Sequence, residues 1–140
     1  MGARKENDFE VTIPSRLEEI ETVEKLAERA ADEMKFNDEE KDSLAIAVTE
    51  AVNNAIIHGN KKDIKKKVHI KFVLQANKLI ITVKDEGKGF DPNSVSDPLA
   101  PENLLKESGR GIFILSTLMD DVKFNFEKDG TEIQLIKEKR

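Results

Sequence analysis

Apolar residues recur along this chain with two periods, and the switches between them mark its elements. Phe9, Val11 and Ile13 alternate with polar neighbours, the pattern of a half-exposed strand, and Pro14 halts it. Leu17, Ile20, Val23, Ala27, Ala30 and Met34 then recur at helical spacing, so a helix with one apolar stripe follows, and Ser15 and Glu18 have the spacing of its capping box. Asn37 or Asp38 caps a second helix, with Glu39 and Glu40 at its positive end, and its pattern runs to about His58 with Gly59 as its stop. Val68 to Leu74 and Lys78 to Lys84, rich in Val, Ile and Phe, read as a hairpin turning at Ala76-Asn77. Asp85 to Ser108 carries Gly87, Gly89, Pro92, Pro98 and Pro101 and no periodic stripe, and an irregular loop of that length is more often functional than idle. Periodicity returns in Gly109 to Asp121, a third helix with Ile112, Leu115, Leu118 and Met119 on one side. Val122 to Phe126 and Thr131 to Ile136 form a last hairpin around Asp129-Gly130.

This order predicts an α+β fold: a two-layer α/β sandwich with a mixed, mostly antiparallel sheet, three helices on one face and the other face less covered. A chain of 140 residues fits one domain, expected here over residues 1–140. The lack of cysteine removes disulfides, thiolate zinc sites and a cysteine nucleophile, and it suits a reducing compartment. No basic-then-apolar leader opens the sequence, and no apolar run approaches the roughly 18 to 20 residues of a membrane span, so a cytoplasmic protein without membrane contact is expected. A net charge of -5 argues against direct nucleic-acid binding. The run Lys61-Lys62-Asp63-Ile64-Lys65-Lys66-Lys67 reads as a solvated loop.

Three clusters carry candidate chemistry. On the second helix Glu50, Asn54 and His58 fall four residues apart along one edge, beside the apolar stripe Leu44, Val48, Ala51 and Ala55. Polar groups in that setting cost stability unless something compensates. Either the amides tie down neighbouring loops and Glu50 is half exposed, or the edge belongs to a site. The second cluster is Asp85-Glu86-Gly87-Lys88-Gly89-Phe90-Asp91 at the end of an apolar strand, where glycine lets the backbone turn or approach a flat ligand and Asp85 presents a carboxylate. The third is Ser108-Gly109-Arg110-Gly111 before the third helix, where free N–H groups and the helix dipole favour an anion such as phosphate. Each alone is weak, because such strings arise by chance.

Together and in this order they resemble the N, G1 and G2 boxes of the GHKL ATPase superfamily, which includes type II topoisomerase ATPase domains, a heat-shock chaperone and histidine kinases. Within it, "EAVNNAIIHGN" (50–60) and "SGRGIFILSTLMDDV" (108–122) look most like the anti-sigma-factor serine kinases. The resemblance covers nearly the whole chain and implies a histidine-kinase-like ATPase fold using ATP and Mg2+. It makes Glu50 the general base toward the attacking hydroxyl, Asn54 the Mg2+ ligand and Asp85 the acceptor from the adenine amino group. Gly87 and Gly89 leave the base room, and Thr131 helps to hold adenine through water, although an ordinary β-branched strand residue fits that position nearly as well. Gly109 and Gly111 would offer backbone amides to the phosphates with Arg110 adding charge, and residues 92–108 would form a lid. His58 is assigned to the helix dipole and His69 to the strand.

The implied activity is phosphorylation of a serine or threonine on a STAS-domain anti-sigma-factor antagonist, with a sigma factor as the competing partner and a homodimer as the common assembly. P-loop and protein-kinase readings lack their strings, G-x-x-x-x-G-K-[ST] and H-R-D. The roughly 49 residues before Glu50 are used by a strand and two helices, so any phosphoacceptor comes in trans. The rival reading is a non-catalytic, nucleotide-gated module that sequesters a sigma factor or phosphatase. A nucleotide-free structural domain is the third.

Overall fold

In a computed structural model, residues 8–87 and 107–139 are described, with backbone alone at 107–110 and 112. The predicted lid over residues 92–108 and Gly89 lie outside them, apart from the start of the third helix. The chain runs β1 (Phe9–Pro14), a 3-10 turn (Leu17–Glu19), α1 (Ile20–Glu33), α2 (Asp38–Asn54), a π turn (Ala55–Gly59), β2 (Lys67–Leu74), β3 (Lys78–Lys84), α3 (Glu107–Leu118), β4 (Asp121–Glu127) and β5 (Gly130–Glu138). The strands form one sheet in the order β1-β2-β3-β5-β4. The α+β sandwich and its largely antiparallel sheet are as predicted. Every pairing among the described residues is antiparallel, where the sequence left room for a mixed sheet. The reason is topological. The crossover through α3 sets β4 in the same direction as β3, but β5 slots between them, so the two never share a ladder.

Alternation along β2 and β3 turns Val68, Ile70, Phe72, Leu74, Leu79, Ile81 and Val83 toward the helices, and all are buried. Against them α2 sets Leu44, Val48, Ala51 and Val52, and α1 sets Val23, Ala27 and Ala30. The many alanines at the helix interface bring the helices close, and Phe9 stacks on Phe72 with ring centroids 5.0 Å apart to close the β1 edge.

Helix boundaries differ from the sequence pattern in three places. Ser15 and Glu18 form no capping box; α1 begins instead from the 3-10 turn, while Ser15 is buried and donates its hydroxyl to the Lys66 carbonyl at 2.7 Å. The second helix leaves α geometry after Asn54, four residues before His58, because the amide of Asn60 bonds the carbonyl of Ala55, five residues back. α3 starts at Glu107 rather than Gly109 and stops at Leu118, since Asp120 donates its amide to Ile136 and so enters the sheet.

The start of α2 is reciprocal: Asn37 Oδ1 accepts the Glu40 amide at 2.8 Å, and Glu40 Oε1 accepts the Asn37 amide at 2.8 Å. Because α2 carries Glu50 and Asn54 beside its apolar stripe, the cap at its other end offsets part of what that edge gives up. Asn37→Ala is expected to destabilise the protein by about 1 kcal/mol, a fall of roughly 3 °C in melting temperature measured by circular dichroism.

Candidate functional site

The π turn decides where the site lies. One extra residue in the last turn of the α2 helix widens it and carries Gly59 onto the end of β3, where a Cβ on Gly59 would overlap the carboxylate of Asp85. Gly130 meets Asp85 from the other side with φ +153°, a backbone state that favours glycine, and a Cβ there would overlap the Asp85 carbonyl. Asp85 is buried, and its Oδ1 accepts from the amides of Gly87 and Thr131, each at 3.0 Å. Thr131 in turn receives the Asp85 amide on its carbonyl at 3.1 Å. No hydrogen bond from the described residues reaches Oδ2, which lies against Gly59.

A cleft of about 720 Å³ opens here, within the range of small-molecule sites. Asp85 and Thr131 line it together with Asn54 from α2, Phe124 and Phe126 from β4, and Ile133 from β5. It therefore joins an apolar wall to the buried carboxylate of Asp85, with Asp63 and two lysines also on its lining, a setting for a flat heterocycle with an amino group. Asn54, which lines the cleft, also faces α3, where Gly111 is buried against α2. A Cβ on Gly111 would stand 2.6 Å from Glu50 Oε2 and 3.0 Å from Asn54 Nδ2, so the close approach of the two helices needs glycine and aims α3 at these two side chains. The structure thus brings Glu50 and Asn54 to Gly111, and Asn54 to one cleft with Asp85 and Thr131. Gly109 and Arg110 sit within the first turn of α3 rather than ahead of it, so their amides belong to the unpaired N–H groups of a helix start. Gly89 and the side chain of Arg110 are outside the described residues.

Several residues around the cleft carry no role in the sequence pattern. Phe124 and Phe126 were legible as the inward side of an alternating strand. Lys61 and Lys66 line the cleft from the loop read as solvated. His69 is more than a strand residue: its Nε2 lies 2.7 Å from Glu86 Oε2 and its Nδ1 3.1 Å from Thr12 Oγ1. Glu86 also accepts the Lys67 amide at 2.9 Å. These contacts, the Lys67 amide first and His69 second, hold the Glu86 carboxyl below its ordinary value of 4.5.

The antiparallel sheet under three helices, with its cleft where α2 and β3 end, is the histidine-kinase-like ATPase fold. A family model described as "Histidine kinase-like ATPase domain" matches residues 13–137, and the chain belongs to that family. It is 30% identical over 129 residues to a protein of Bacillus cereus (strain AH820) named "Serine-protein kinase RsbW", covering 88% of this chain and 80% of that one. A protein of the same name from Oceanobacillus iheyensis is 30% identical over 123 residues, covering 84% of this chain and 78% of its own length. Among solved structures, the RsbU and RsbW domains of Rv1364c from Mycobacterium tuberculosis superpose with a TM-score of 0.70 at 17% identity, over 95% of this chain and 33% of that one. A histidine kinase domain from the blue-light activated histidine kinase of Erythrobacter litoralis EL346 superposes with a TM-score of 0.56 at 14% identity, over 89% of this chain and 60% of that one. At such identities the structures speak for the fold.

The lowered Glu86 carboxyl has a signed consequence. A depressed folded value stabilises the protein above pH 4.5, and that contribution is lost as pH falls from 4.5 through the folded value. Glu86→Gln is therefore expected to flatten the acid limb: between ~pH 5 and ~pH 3 its melting temperature should fall less than that of the parent protein.

Proposed function

We propose that this protein is an ATP-dependent serine/threonine protein kinase that acts as an anti-sigma factor, phosphorylating a STAS-domain antagonist in a partner-switching pathway. The observation that carries this reading is that Asn54 lies against Gly111 beside Glu50 and also lines the cleft that holds the Asp85 carboxylate. Relatives named serine-protein kinase, matched over most of their length, support the reaction class.

The residues present fit a magnesium-bound adenine nucleotide. Asp85 lines the cleft with Thr131 beside it, and the missing side chain of Gly87 lets the chain after β3 pack on the Gly59 carbonyl. Asn54 supplies an amide oxygen of the kind Mg2+ accepts. The first turn of α3, where Gly109 and Arg110 lie, is a helix start that favours phosphate, and Gly111, fifth in that helix, contributes the close approach to α2 rather than a free amide. Bound there, Mg-ATP supplies the transferable phosphoryl group. Glu50 takes the proton of the acceptor hydroxyl and orients its oxygen, as a carboxylate four residues from the metal-holding amide on one helical edge can do. The acceptor hydroxyl comes from a partner, and the exchange of sigma factor for antagonist makes phosphorylation a switch.

Incubation with Mg-ATP and STAS proteins from the same genome is expected to yield phosphoserine or phosphothreonine, read by mass spectrometry. Glu50→Ala should slow transfer by at least about 10²-fold while nucleotide affinity stays within a factor of about three. Asp85→Ala should abolish nucleotide binding in calorimetry. ATP-dependent capture of a sigma factor or phosphatase with no transfer to any antagonist would favour the non-catalytic module instead.

A further inference from the structure

Asn60 follows the π turn and is 1% exposed, the most buried polar side chain among the described residues. Every polar group of its amide is used. Nδ2 donates to Ser15 Oγ at 2.8 Å and to the Lys67 carbonyl at 2.9 Å, and Oδ1 accepts the Glu86 amide at 2.7 Å. Its own backbone amide closes the π turn on Ala55. One side chain therefore ties the end of the α2 helix to the β1–α1 junction, to the start of β2 and to the residue directly after Asp85. Only a carboxamide can do this, since aspartate lacks the two donors and leucine lacks all three groups.

The backbone is shaped to keep Asn60 there. Lys61 and Lys62 take φ of 53° and 60°, a left-handed state that costs non-glycine residues free energy. In return the Lys62 amide turns back to the Ile56 carbonyl at 2.7 Å, and the Asp63 amide bonds the Asn60 carbonyl at 3.0 Å. Strain at two successive lysines lining or adjoining the cleft marks a geometry that the surroundings enforce.

We infer that Asn60 is a positioning residue for base recognition: through the Glu86 amide it fixes the direction of Asp85 relative to the helix that carries Glu50 and Asn54. This rests on the nucleotide reading given above and adds to it the residue that sets base selectivity. Without Oδ1 the Glu86 amide loses its acceptor and the backbone after Asp85 loses its tie to the end of the α2 helix, while Asp85 keeps its two bonds to Thr131. The Gly87 amide, one of the two donors to Asp85 Oδ1, is then held less firmly, so the carboxylate keeps the Thr131 bond and loses part of what sets its direction. The phosphate end, built from α2 and α3, does not depend on this bond.

The test compares ATP with ITP, which lacks the exocyclic amino group, and with inorganic tripolyphosphate, all with magnesium, by calorimetry on the full chain. The parent protein is expected to prefer ATP to ITP. Asn60→Ala should narrow that preference roughly five- to tenfold and leave tripolyphosphate affinity unchanged, whereas a general loss of stability would weaken all three alike and keep the ratio. Ser15→Ala, which cuts only the bond on the far side of the amide, should lower the melting temperature and keep the ATP preference. Should Asn60→Ala not fold, amide exchange on the parent protein decides: protection at Glu86 and Gly87 should rise with ATP and stay as it was with tripolyphosphate. An unaltered ATP:ITP ratio in Asn60→Ala, or equal protection by both ligands, overturns the positioning role alone. A parent protein that binds none of the three overturns the nucleotide reading and this inference with it.

Discussion

A carboxylate buried at the end of a strand must be supplied with donors, and the arrangement of this protein follows from supplying them to Asp85. Burial removes water from the group, which costs several kcal/mol unless hydrogen bonds replace it. Oδ1 receives two backbone amides, those of Gly87 and Thr131, so the chain just after β3 and the start of β5 must converge on one oxygen. That convergence requires β5 to lie beside β3, and it requires glycine at 130, where a side chain would overlap the Asp85 carbonyl. Sheet order and site geometry thus share one cause.

The second helix meets two demands that conflict. Leu44, Val48, Ala51 and Val52 bury one side in the core, where the transfer of apolar surface from water supplies most of the stability. The neighbouring edge holds Glu50 and Asn54, half-buried and facing the backbone of α3 across a missing Cβ. A well-made helix would continue in α geometry to its glycine stop. This one changes to a π turn after Asn54, giving up regular hydrogen bonding so that Gly59 can reach Asp85. Its strong N-terminal cap and its apolar stripe offset what the other edge and the far end give away.

Much of this was legible in the sequence because it depends on local pattern. Alternation at residues 68–74 and 78–84 located the two strands to within a residue, the helical spacing of α1 found the helix but not its start at Ile20, and the end of an apolar strand placed Asp85. The parts that were not legible depend on partners far along the chain. Ser15 has the spacing of a cap, but its hydroxyl bonds the Lys66 carbonyl, 51 residues away. His69 looks like any strand residue until Glu86 is seen 2.7 Å from it. The π turn was invisible because Ala55-Ile56-Ile57-His58-Gly59 has the apolar pattern of a continuing helix, and what widens the turn is the tertiary anchoring of Asn60. Gly109 lowers helix propensity and so hid the true start of α3 at Glu107, two residues earlier.

On the proposed reading, the cleft around Asp85 and the helix contact next to it are built from different material, and this bears on how such a protein could exchange partners without losing its ligand. The end around Asp85 joins β3, β5 and the π turn through backbone hydrogen bonds and buried glycine contacts, none of which can shift without breaking the sheet's own ladder. The neighbouring contact, reached through Asn54, is an approach of two helices, α2 and α3, where Gly111 has no side chain. Helix pairs slide by an ångström at small cost, whereas paired strands do not. Base recognition therefore belongs to the rigid half. Any response to an incoming acceptor belongs to the helix contact at Gly111, where a small movement of α3 changes what surrounds Glu50 and leaves Asp85 where it is.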